Sequence, residues 1–105
     1  MKLLYIPIPS EEEAIKLAKA LLADGLIACA NVLPAGVSVY KWEGEVQSQR
    51  EFILIAKTTA EMAQNSMLRA RELHPYELPC ILILPVDGAL PEFKDWVFSE
   101  VCAKP

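Results

Sequence analysis

The seven residues from His74 to Cys80, HPYELPC, bring an imidazole, a carboxylate and a thiol into one short stretch, and His74 is the only histidine in the chain. Imidazole, carboxylate and thiolate are the common protein ligands of transition metals, which makes His74, Glu77 and Cys80 the candidate metal-ligating residues. Their i, i+3, i+6 spacing would align them on one helical face, but Pro75 and Pro79 forbid a continuous helix through them. Their convergence therefore depends on tertiary structure. Such a run is a weaker signal than a CxxC pair or an HExxH helix. Two simpler readings stand beside it. His74 could hydrogen-bond the last carbonyls of a preceding helix and gain from the dipole there. Tyr76 and Cys80 could belong to the core, with Glu77 in solvent.

Other chemistry is scarce. No nucleophile accompanies His74 in a Ser-His-Asp arrangement. Cys29 falls in an apolar strand and Cys102 in the last turn of the chain, positions of inert thiols, and the sequence assigns neither a role. Four glycines in the whole chain leave no material for a phosphate-binding loop. Acylphosphatase-like hydrolysis would want an arginine and an oxyanion-binding turn near the first strand, and YIPIPS offers neither. The expectation is a protein that is not an enzyme.

The elements that must position HPYELPC follow from pattern. KLLYIPI is an apolar strand ended by its prolines. In SEEEAIKLAKALLADG, Ser10 and Glu13 form a capping box, Gly25 takes the position after the last turn, and Ala14, Leu17, Ala18, Leu21 and Leu22 make the buried stripe. LIACANVLPAGVSVYKW and EVQSQREFILIAKT are two long β segments joined at Glu43-Gly44, where Gly44 supplies the positive φ of a hairpin turn. Pro34-Ala35-Gly36 interrupts the first of them as a bulge or bend. The second helix, TAEMAQNSMLRARELH, is expected to be capped by Thr58 and Glu61, to bury Ala63, Met67 and Ala70, and to stop before Pro75. PCILILPV is an edge strand. DGALPEFKDWVFSEV ends the chain as a short helix with Leu90, Phe93, Val97 and Val101 along one side.

The order β-α-β-β-α-β-α places the chain in the α+β class: a ferredoxin-like sandwich with a long central hairpin and an extra C-terminal helix, one domain over residues 1–105. Two helices cover one face of its sheet, and the bare other face calls for a partner. So does a hairpin too long for the domain, carrying Tyr40 and Trp42, and a chain that is 53% hydrophobic.

With a net charge of −4 and ten scattered Lys and Arg, no nucleic-acid surface is expected. No apolar run is long enough to span a membrane, and MKLLYIPIPSEEE is too soon interrupted to be a signal peptide. Three widely spaced cysteines without a CxxC pair fit a reduced, cytoplasmic protein.

Five blocks give the chain a relation: ACANVLP, SVYKWEGEV, LIAKTT, HPYELP and FKDWV, in this order from Ala28 to Val97. Together they resemble the CutA family of divalent-cation tolerance proteins. That resemblance implies a ferredoxin-like fold, assembly as a homotrimer whose hairpins extend over neighbouring subunits, and an association with tolerance to copper and other divalent ions. Its likeness to PII signalling proteins implies an alternative, a module that binds a small effector or partner protein in clefts between subunits. Metal sites proposed in the family combine a first-strand cysteine, the histidine of HPY and a glutamate after the following proline. Here the histidine is His74, the first-strand position is Ile6, which cannot ligate, and the last position is Cys80. A thiolate for a carboxylate softens the site towards Cu(I) or Zn(II). Two ligands are too few for a structural zinc site, so Glu77, water or a neighbouring subunit would have to complete the shell.

Overall fold

The computed structural model of the chain describes residues 1–34 and 36–102. Nine elements follow one another: β1 (Lys2–Ile8), α1 (Glu11–Ala23), β2 (Cys29–Leu33), β3 (Val37–Trp42), β4 (Glu45–Arg50), β5 (Phe52–Thr58), α2 (Ala60–Leu73), β6 (Leu82–Pro85) and α3 (Pro91–Cys102). Four strands form an antiparallel sheet in the order β2-β5-β1-β6, and β3 and β4 form a separate two-stranded ribbon. With α1 and α2 on one face, this is the ferredoxin-like α+β arrangement, and β6 is at the edge as expected. Among the described residues no helix is long and apolar enough to cross a membrane.

The core lies between that face and the helices. Leu4, Ile6 and Ile8 of β1 alternate into it, met by Leu54 and Ala56 of β5 and by Ala14, Leu17, Ala18 and Leu21 of α1. Each large aliphatic side chain so buried contributes about 1.5–3 kcal/mol. Leu22, placed in the stripe by its spacing, is instead on the outer flank of α1 and exposed, because five residues cover more arc than the sheet can hide. In α3 the same thing happens. Val97 and Val101 are fully buried and pack on the buried Ala28, but Phe93, and Leu90 just before the helix, remain exposed.

The helix ends explain themselves. The Ser10 hydroxyl accepts from the backbone N–H of Glu13 at 3.1 Å. At the other end Gly25, at φ 70°, donates to the Leu22 carbonyl while Leu26 donates to that of Leu21, the paired bonds of a Schellman motif. In α2 the capping residue is Thr59, whose hydroxyl accepts from Met62 N–H at 3.2 Å. The expectation of Thr58 was one residue early. Thr58 still belongs to β5, where it is fully buried and donates to the Leu26 carbonyl at 2.6 Å. Ser66 donates to the same carbonyl at 3.0 Å, tying the α1–β2 connection to α2.

The bulge or bend expected at Pro34-Ala35-Gly36 falls on Ala35, which lies outside the described residues. Leu33 faces Ile53, Val37 faces Arg50, and the stretch between holds one residue more on the first strand than on the second. Beyond this offset β3 and β4 pair with each other as the separate ribbon, the arm of the hairpin. At its tip Glu43 and Gly44 both have positive φ, 51° and 84°, the type I′ geometry that matches strand twist.

Candidate functional site

The arm gives its two faces different work. Ser38, Tyr40 and Trp42 alternate along one face of β3, and Gln47 and Gln49 answer them from β4. Val37, Val39 and Val46 lie on the other face and are 60%, 69% and 74% exposed. Between the first face, the end of β1 and the HPYELPC corner lies a cleft of about 900 Å³. Tyr5 and Pro7 contribute from β1, and Pro75, Tyr76, Glu77, Leu78 and Cys80 from the corner. Glu51 sits at its base, in the one-residue gap between β4 and β5.

Glu51 is only 7% exposed. One of its oxygens accepts from the Ser38 hydroxyl, the other from the Tyr76 hydroxyl at 2.8 Å. The Tyr76 hydroxyl in turn accepts from Gln49 Nε2 at 2.6 Å, and Gln49 Oε1 accepts from the Tyr40 hydroxyl at 3.2 Å. Every donor in this chain points towards Glu51, the terminal acceptor. Burial, and then the Glu51 carboxylate beside it, hold the Tyr76 phenol well above the usual tyrosine range, so it stays a proton donor. Among the described residues the ion pairs are Arg69 with Asp24 and Arg69 with Glu72, and neither involves Glu51.

His74 lies behind this wall and is 7% exposed. Its Nε2 is 2.8 Å from the Pro7 carbonyl, and its Nδ1 is 3.1 Å from the Tyr76 backbone nitrogen. A carbonyl only accepts and a backbone N–H only donates, so the ring carries its hydrogen on Nε2 and accepts at Nδ1. Pro7 lies past the end of β6, which pairs only with Lys2 to Tyr5. Its missing N–H breaks no ladder bond there, and its carbonyl is taken by the imidazole. With both nitrogens engaged, His74 has no lone pair free for a metal as it stands. Nor does its side chain bond the carbonyls of its own helix; it ties the corner to β1.

The other two candidates stand elsewhere. Glu77 and Cys80 are exposed on the cleft wall. Burial and the charge of Glu51 push the Cys80 thiol up, so the thiolate that binds metals is the minor form at neutral pH. Among the described residues no three His, Cys, Asp or Glu side chains converge as a metal centre requires. The fully buried Ile6 offers the core a side chain and a metal nothing. Ser38, Gln49 and Glu51 were missed in the sequence. Their signal was the alternation of polar and aromatic residues in SVYKW and QSQRE, opposite a face of valines.

The comparisons with known proteins agree on the whole chain. The model of the family described as CutA1 divalent ion tolerance protein matches residues 2–100. The divalent-cation tolerance protein CutA of Thermus thermophilus is 40% identical over 96 residues, 91% of this chain and 93% of its own. Among solved structures, CutA from Xylella fastidiosa superposes with a TM-score of 0.92 at 32% identity, covering 95% of this chain and 96% of that one. A structure described as the periplasmic divalent cation tolerance protein CutA of Archaeoglobus fulgidus gives 0.91 at 38% identity, covering 96% and 99%. Fold, length and sequence point the same way: the chain belongs to the CutA family of divalent-cation tolerance proteins.

Proposed function

We propose that the chain acts in divalent-cation tolerance as a non-enzymatic, cytoplasmic homotrimer that binds copper or another divalent metal ion, with Cys80 and Glu77 as the ligands this subunit offers. The observation that carries the reading is the placement of these two side chains, exposed on a cleft wall, while His74 is spent inside holding that wall. Two ligands leave a shell open to water or to a neighbouring subunit, and a thiol with a carboxylate favours soft or borderline ions. The arm's outward valines supply the surface on which neighbouring copies would pack.

The test is a titration of reduced, metal-free protein with Cu(I) and Zn(II), with the mass followed by light scattering. Cys80→Ser and Glu77→Gln should weaken binding while leaving a particle of three chains. His74→Ala should lose stability and keep most of its affinity. Weak binding, equal in all four proteins, would overturn the metal reading, and a particle of any other size would overturn the trimer.

A further inference from the structure

We draw no further inference here: the strongest candidate, the exposed aromatic flank of α3 where the rings of Phe93 and Trp96 lie 5.7 Å apart, is an unpartnered apolar face, and nothing in the structure shows what covers it.

Discussion

His74 is the residue whose type says most and whose surroundings change its meaning. In sequence it was a ligand beside a glutamate and a cysteine. In the fold it is a bracket between the Pro7 carbonyl and the Tyr76 backbone. No pattern in HPYELPC could have shown this, because the partner lies 67 residues earlier, in β1. His74→Ala leaves a buried carbonyl and a backbone N–H without partners, and should cost about 2–4 kcal/mol in urea unfolding. If stability is unchanged and metal affinity collapses, the ring is a ligand and the bracket incidental. Cys80 gives a second test at this scale. Burial first, then the charge of Glu51, raises its pKa, so Glu51→Gln should lower it. Alkylation by iodoacetamide near pH 8 should then run faster in the variant, with its rate–pH curve moved to lower pH. An unchanged curve would mean that Glu51 carries no charge the thiol can feel.

At the scale of elements the sequence was more legible, since caps and periods are local. Ser10, Glu13 and Gly25 marked both ends of α1, and Pro75 stopped α2 as expected. The cap of α2 slipped by one because Thr58 and Thr59 are equally good capping residues, and the choice falls to the β5 register, which seats Thr58 opposite Lys2. The arm was foreseen as an overlong hairpin, but its two faces were not read apart. Its turn also carries strain the sequence could not price. Glu43 sits at φ 51°, where a glutamate is uncommon, beside Gly44 at 84°. Asn-Gly is the pair that type I′ turns prefer. Glu43→Asn should therefore stabilise the fold by about 0.5–1 kcal/mol, and Gly44→Ala should destabilise it by about 1 kcal/mol, read as opposite shifts of Tm. Shifts of the same sign would mean that contacts made by the tip outweigh its backbone geometry.

For the molecule as a whole, the argument turns on surface that one copy leaves uncovered. Beyond the valines of the arm, the sheet face away from the helices carries Leu3, Tyr5, Ile53 and Ile55, half-buried, and Leu33, Leu82 and Leu84, exposed. Large contiguous apolar surface on a small protein marks association, and both surfaces belong to the elements that the sequence reading expected a partner to cover. The valines allow the cleaner experiment, because they take no part in the cleft's hydrogen-bond chain or the core, although Val39 borders the cleft. At 69% and 74% exposure, Val39 and Val46 contribute little to the fold of one copy, and an aspartate at either would remain solvated there. In an assembly that buries them, each valine would supply up to about 1.5–3 kcal/mol and each aspartate would be desolvated without a partner. Val39→Asp with Val46→Asp should thus reduce the particle to single chains in light scattering, while the circular dichroism of the sandwich persists. Association that survives both substitutions would move the interface from the arm to the open sheet face. Ile55→Asp, at the centre of that face, would then be the variant that separates the chains.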